Sequence, residues 1–421
     1  MASEPLVLNG DAARLAAELR ALVPDSGSVS DAVAEILAGV RAGGDGAVRE
    51  YTRRFDTGGA EPGPLIVADD ELDAALDRLD PAIRQGLERA AENVGRVAEA
   101  GITADRVVTL DGYEIALRGV PVGSAAVYVP GGRAPYPSTV IMGVVTARVA
   151  QVDEVAVCAP PGRDGDIHPV ILAACRLAGA SVVYRMGGAQ AIAALAYGTE
   201  SVAGVEVIVG PGNLYVQEAK HQVLGQVGID GFAGPSDLVV IADAEADPDL
   251  VAIDLLAQGE HGPGTLVVGI SDSRELLGAV DERISGAADT GAIRRLVRVE
   301  ALDQGLALAE AFAPEHLELI GPGAEALAPR VSRVGCLYVG SAGGCAFGDY
   351  IAGSNHILPT GGAARFASAL SPAHFRRRFS EVRIGDAAEA LARLAAPVAR
   401  AEGFELHARS MEARIRQNGS T

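Results

Sequence analysis

The chain has 421 residues, a formal net charge of −20, and 49% hydrophobic but only 4% aromatic residues. A chain this long is expected to hold two or more domains with sizeable cores, and the balance suits a globular α/β protein rich in small aliphatic residues. The acidic excess argues against nucleic acid or an anionic membrane surface as the main partner.

Residues 1–24 read as a short helical segment, with Ala and Leu at helical spacing over 12–22 and a stop at Pro24. Residues 28–55, 71–79 and 81–100 continue as helices, the last opened by its proline. Residues 107–117 alternate like an antiparallel strand or hairpin. A regular alternation follows, with strands predicted at 122–129, 154–159, 181–185 and 205–209 and helices at 138–150, 167–178, 189–196 and from about 213 to 226. Strands spaced by helices in this way indicate βαβ units and a parallel sheet. The glycine-rich breaks fall after strands, at the carboxyl ends where open α/β sheets bind ligands. A second βα region has strands at 238–242, 265–269, 296–299, 317–320 and 336–339 and helices at 248–257, 273–284, 304–311 and 324–331. The two regions could be weakly similar duplicates. The stretch 374–380 is basic and reads as a solvated face, and helices 387–396 and 402–416 follow, separated by a break at Pro397.

Lys220 is the single lysine, set among polar residues of helical character. No Gly-Lys-Ser/Thr exists, so a P-loop is excluded, and Schiff-base chemistry would have to use Lys220. The four cysteines show no CxxC spacing. Cys158 and Cys175 read as core, Cys336 opens a strand, and Cys345 lies close enough to Asp349 to share a site. The pattern fits a reducing cytosol, with no signal peptide and no membrane-spanning apolar run.

Four stretches hold most of the candidate chemistry. The segment Asp349–Gly362 places Asp349 and His356 seven residues apart in a Gly/Pro-punctuated, loop-like context. The others are Gln258-Gly259-Glu260-His261, Pro314-Glu315-His316 and Glu402…His407, and the four stretches hold four of the seven histidines. They are read as converging on one metal-centred site. Gln258 and His261 share a face at a helix end, which Gly262-Pro263-Gly264 then stops. With Asp349 and His407 they make a mixed N/O donor set suited to Zn2+ or a similar divalent ion. Taken alone, His261 reads equally as a helix C-cap. Glu315 and His316 make an acid/base pair if an irregular backbone lets both reach one pocket, and otherwise a helix-terminal charge pair. His356 alone reads as a structural hydrogen-bonding residue, and His168, His221 and His374 as surface residues. Gly210-Pro211-Gly212-Asn213 follows a strand and opens a helix, which suits phosphate, but it lacks the third glycine of the dinucleotide fingerprint. An ordinary βα turn stays open there and at Gly187-Gly188-Ala189-Gln190. The stretch Tyr128-Val129-Pro130-Gly131-Gly132-Arg133 could offer an aromatic face to a base or ribose, or simply end a strand.

Taken in order, the motifs YVPGGRAPYPSTVIM (128–142), MGGAQA (186–191), GPGNLY (210–215), AGPSD (233–237), QGEHGPG (258–264), APEHL (313–317) and residues 348–362 resemble the histidinol dehydrogenase family, over roughly residues 10–415. The resemblance implies two Rossmann-like βαβ domains with parallel sheets and small helical N- and C-terminal segments. The expected division is a helical segment at 1–24, a discontinuous metal and catalytic domain at 25–120 and 238–365, an NAD-binding domain at 121–237, and a C-terminal dimerisation segment at 366–421. It further implies oxidation of L-histidinol through an aldehyde to L-histidine with two NAD+ and water, in a cytoplasmic homodimer with one Zn2+ per subunit. By that resemblance Gln258, His261, Asp349 and His407 are the zinc ligands and also touch substrate, and Glu315 and His316 are the catalytic pair. Tyr128, Gln190 and Asn213 contact the cofactor, and Ser236, His356 and Glu402 the substrate. Glu402 and His407 would reach the partner's site. Gly343-Gly344-Cys345 departs from the family's turn and leaves the local loop conformation open. Two rival readings remain: a dehydrogenase of the same superfamily acting on another hydroxy compound, and a non-catalytic metal- or nucleotide-binding protein.

Overall fold

A computed structural model describes residues 5–23, 29–131, 134–231 and 234–415. The expected stop at Pro24, Gly132-Arg133 of the 128–142 motif and Ala233 lie outside the described residues. The chain divides into two compact units, Met1–Gly101 with Val122–Phe375, and Ile102–Pro121 with Arg376–Thr421.

The first unit holds two parallel sheets, in agreement with the expected α/β class. One runs Val182–Arg185, Glu154–Ala159, Ser124–Tyr128, Val207–Val209, Gly228–Ile229 across its width. The other runs Leu6–Val7, Ile293–Arg298, Leu266–Ser271, Asp237–Ala242, His316–Ile320, Cys336–Val339. Their central strands are aliphatic runs buried on both faces, as in Val207–Val209 and Leu238–Ile241. Leaving aside the edge strand Leu6–Val7, each sheet places its earliest strand centrally, the next two on one side and the last two on the other. The duplication suspected from sequence is therefore topological. Each sheet has one switch point, between Ser124–Tyr128 and Val207–Val209 in the first and between Asp237–Ala242 and His316–Ile320 in the second. At the first, Gly210 takes φ +117°, and a Cβ there would lie 2.1 Å from the Tyr128 carbonyl oxygen. Only glycine allows that approach.

The packing of residues 30–100 departs from the expected grouping with 238–365. Val33, Leu37, Val40 and Val48 of the helix Ser30–Phe55 share a core with Tyr128, Cys158 and Ile208 of the five-stranded sheet. Leu72 of the helix Asp69–Asp77 and Val94 of the helix Pro81–Ala100 pack on the same sheet's other core. Periodicity shows which face of a helix is apolar but not which sheet it covers.

Two local readings are also corrected, at Asp349 and at Pro397. Asp349 stands in a short helix, Cys345–Tyr350, rather than a loop, and Gly343-Gly344 leads into that helix. The lone lysine is buried at 1% exposure: Lys220 Nζ donates to the Gly210 carbonyl at 3.0 Å and pairs with the Asp230 carboxylate. In the second unit, the helix Ala388–Ala401 runs through Pro397. The break comes instead at Gly403, which takes φ +83° before the helix Glu405–Glu412. The same unit contains a three-stranded antiparallel sheet of Arg106–Leu110, Tyr113–Pro121 and Arg376–Arg383, with Tyr113–Pro121 central. The basic stretch thus leads into a strand, Arg376–Arg383, most of whose side chains are exposed.

Candidate active site

The helix Leu302–Phe312 ends on Ala313, a non-glycine residue in the left-handed region (φ 50°, ψ 69°). That turn and Pro314 supply the irregular backbone needed for Glu315 and His316 to face one cavity. The cavity has a volume of about 430 Å3, and its walls include Ser236, His261, Glu315, His316, Asp349 and His356. Asn213 lines it from the glycine-rich turn.

Asp237, the first residue of its strand, organises the pair. Its backbone N–H donates to Glu315 Oε2 at 3.0 Å, and the Glu315 N–H donates to Asp237 Oδ1 at 2.7 Å. The Asp237 carbonyl lies 3.3 Å from His316 Nδ1, and Gln258 Nε2 lies 3.4 Å from the same nitrogen. His316 Nε2 is 3.3 Å from Asp349 Oδ1, and Nδ1 is 3.7 Å from Glu315 Oε2. Burial alone would lower the His316 pKa, but the charges of Glu315 and Asp349 outweigh it and raise the imidazole to about 10. Burial pushes Glu315 up to about 7, against the opposing pull of His316. Burial also works against the Asp349 charge, but the His316 hydrogen bond and the fields of His316, His356 and His261 hold it below the usual carboxylate range. His356 and His261 are both pushed down by desolvation and are neutral near pH 7. His356 Nδ1 donates to the Asp349 carbonyl at 2.9 Å, and its Nε2 is 3.1 Å from the Thr139 hydroxyl.

The expected cofactor residues differ in access. Asn213 is exposed, and its Oδ1 caps the helix Leu214–Val223 through the Tyr215 and Val216 amides at 3.0 and 3.2 Å. Tyr128 and Gln190 are buried. The Tyr128 hydroxyl accepts the Gly188 N–H at 3.1 Å, and Gln190 Nε2 donates to Asp56 Oδ2 at 3.0 Å. Burial raises Asp56 to about 7 even though the Gly187 N–H and Gln190 stabilise its charge.

Among the described residues no three His, Cys, Asp or Glu side chains are gathered at metal-binding spacing. Gln258 is turned onto His316 and towards the Cys345 thiol, which lies 3.8 Å from its Oε1. Asp349 is turned onto His316. The donor chemistry of this unit nonetheless fits a divalent cation, because a neutral imidazole, an ionised carboxylate and an amide oxygen bind without releasing a proton. The fourth expected ligand, His407, is an exposed residue of the second unit, its ring 5.2 Å from Phe404. Glu402 is an exposed C-cap in that unit. Sequence reasoning passed over Asp237, although it ends the AGPSD motif, and also Arg20, Asp56 and Glu318, for which no local signal exists.

A family model described as histidinol dehydrogenase matches residues 21–415. The histidinol dehydrogenase of Parasynechococcus marenigrum is 44% identical, over 90% of this chain and 90% of its own. That of Rhodospirillum rubrum is 41% identical, over 98% and 99% of the two chains. The crystal structure of histidinol dehydrogenase from Elizabethkingia anophelis superposes with a TM-score of 0.90 at 28% identity, covering 98% of each chain.

Proposed function

Since the chain belongs to the histidinol dehydrogenase family and is an oxidoreductase, we propose that it oxidises L-histidinol to L-histidine through L-histidinaldehyde, with two NAD+, one Zn2+ per subunit and a water. The observation that carries this reading is the Glu315–His316–Asp349 cluster on one cavity wall with Ser236 and His356.

When bound, Zn2+ would orient the substrate amine and imidazole, and NAD+ would accept hydride. Gln258, His261 and Asp349, with His407 from the partner chain, would hold the metal. His316 takes the hydroxyl proton as hydride departs, and Asp237 O and Asp349 stabilise the imidazolium that results. Glu315 then takes a proton from water as the oxygen adds to the aldehyde carbon, and the His316 imidazolium returns its proton to the aldehyde oxygen, giving the hydrate and a neutral imidazole. The Glu315 pKa near 7 suits its transfer at neutral pH. His316 next removes a proton from the hydrate while the second hydride leaves, giving the carboxylic acid. Keeping the aldehyde in the cavity between steps protects a reactive intermediate. Residues 121–237 would carry the dinucleotide and 238–365 the metal and catalytic groups. Segment 366–421 would complete the partner's site in a cytoplasmic homodimer. Among the described residues no helix is long and apolar enough to cross a membrane.

The test is NADH formed per L-histidinol consumed, with and without chelator. A ratio of two, abolished by chelation and restored by Zn2+, is expected. A ratio of one would remove the water step assigned to Glu315, and no turnover would reassign the cavity to another alcohol.

A further inference from the structure

Arg20 is the last residue of the N-terminal helix Ala12–Arg20 and does not line the cavity. Its guanidinium reaches three groups at once. NH1 donates to Asp237 Oδ2 at 2.5 Å, and NH2 donates to the carbonyls of Phe312 and Ala313 at 2.8 and 3.1 Å. The guanidinium carbon also lies 3.5 Å from the centre of the Phe312 ring. Phe312 ends its helix, so its carbonyl and that of Ala313 are among those left without an intrahelical donor. Ala313 holds a left-handed conformation that a Cβ disfavours, and such a conformation persists only where its surroundings impose it. Arg20 grips this turn on one side and the Asp237 carboxylate, 1% exposed, on the other. Asp237 in turn clasps Glu315 through its own N–H and Oδ1.

We propose that Arg20 and Asp237 are positioning residues that orient the Glu315 carboxylate for the water-dependent second oxidation, an inference that rests on the role given to Glu315 above. The two catalytic side chains depend on this clamp unequally. His316 is held by the Asp237 carbonyl, Gln258 and Asp349, none of which needs the Asp237 side chain. The Glu315 backbone is fixed by that side chain, and its carboxylate is fixed by the amide beside it. Loosening the clamp therefore displaces Glu315 first. A displacement of the order of 1 Å in a reacting group costs about 10²-fold.

The experiment compares Arg20→Ala, Arg20→Lys and Glu315→Gln in the two half-reactions, L-histidinol to aldehyde and L-histidinaldehyde to histidine. For Arg20→Ala, kcat for aldehyde oxidation should fall about 30- to 100-fold with KM within about threefold, while alcohol oxidation falls less than about threefold. Guanidinium ion at non-denaturing concentration should restore Arg20→Ala and leave Glu315→Gln unchanged. Hydrogen exchange in the metal-free protein should be faster across residues 313–316 of Arg20→Ala. If Arg20→Ala does not fold, Arg20→Lys decides, because it keeps the charge near Asp237 but lacks the fork that spans all three acceptors. Equal losses in both half-reactions, no loss in either, or unchanged exchange at 313–316 would overturn the inference. If Glu315→Gln itself shows no bias towards the second half-reaction, the role of Glu315 fails first. If it shows the bias and the Arg20 variants do not, only the clamp fails.

Discussion

In the five-stranded sheet the groups nearest the cavity, Pro130 and Pro211–Asn213, follow the carboxyl ends of Ser124–Tyr128 and Val207–Val209. In the six-stranded sheet, Ser236, Glu315 and His316 stand at the amino ends of Asp237–Ala242 and His316–Ile320. Two sheets of the same strand order thus meet one cavity with opposite ends, and their helices present opposite poles there. The helix Leu214–Val223 begins beside the cavity, its Tyr215 and Val216 amides capped by Asn213, and the positive end of its dipole favours an anion. At the next carboxyl end the helix Gly188–Tyr197 already receives one, the Asp56 carboxylate. The helices Pro248–Gly259 and Leu302–Phe312 end on the other side, where the negative ends of their dipoles favour a cation, and Arg20 already meets the Phe312 and Ala313 carbonyls. On the proposed reading, the dinucleotide phosphates belong to the first wall and the metal, the imidazolium and a cationic substrate to the second.

The hardest way to break this division is to remove the base of the second wall. His316→Asn should lower both half-reactions by about 10³-fold, within the range for losing a general base, as measured by single-turnover NADH formation. Glu315→Gln should impair the aldehyde step far more than the alcohol step. The same variant makes a signed pH prediction. On the proposed reading His316 acts as a base only when neutral, and Glu315 and Asp349 raise its pKa to about 10, so the alcohol step should accelerate with rising pH on the alkaline side. Glu315→Gln removes one of those charges, lowers the His316 pKa and moves that limb to lower pH. A limb that stays or moves upward would show that Glu315 does not set the His316 charge.

The matching change on the first wall is smaller and of another kind. Lys220 and Asp230 satisfy both backbone groups of Gly210, since Lys220 Nζ donates to its carbonyl and its N–H donates to Asp230 Oδ2 at 2.7 Å. Lys220→Met strands a buried carboxylate, which costs about 3–5 kcal/mol and should lower the thermal midpoint. It should also raise KM for NAD+ about tenfold through the displaced turn, with KM for L-histidinol unchanged. The double variant Lys220→Met/Asp230→Leu should recover stability without recovering cofactor affinity. If KM rises equally for both substrates, the two walls are not separable.

The contrast also explains how much of the molecule was legible in the sequence. The central strands of both sheets are buried on two faces, so they read as aliphatic runs bounded by glycine turns, and the βα alternation follows directly. The chemistry-bearing stretches were visible because His, Asp and Glu cluster beside Gly and Pro. What stayed hidden depends on partners remote in sequence. Lys220 sits among Gln217, Glu218, His221 and Gln222, and nothing local shows that the chain returns Asp230 to it. Arg20 and Asp237 are 217 positions apart, and neither residue carries a local sign of the other. The amphipathic helices of residues 30–100 show an apolar face but not the sheet that receives it.

The smallest expected effect tests how the second wall holds Asp349. Glu318 is buried on the strand His316–Ile320, and its Oε1 accepts the Cys345 N–H at 2.6 Å where the Asp349 helix begins. Burial and then the neighbouring Asp254 charge raise Glu318 to about 8, so near neutrality it keeps a proton. Glutamine reproduces that neutral form, and Glu318→Gln should change kcat by less than about threefold, whereas Glu318→Leu orphans the Cys345 N–H, at a cost of about 1–3 kcal/mol. The sign of the pH effect separates charge from shape. A carboxyl whose folded pKa lies above its ordinary 4.5 binds its proton more tightly in the folded chain, so its stabilising contribution is lost as pH rises from about 4.5 to 8. The thermal midpoint of wild type, relative to Glu318→Gln, should therefore fall across that window and level off above it. A constant difference would mean that Glu318 is ionised throughout, and that the Asp349 helix starts on a carboxylate rather than on a neutral acid.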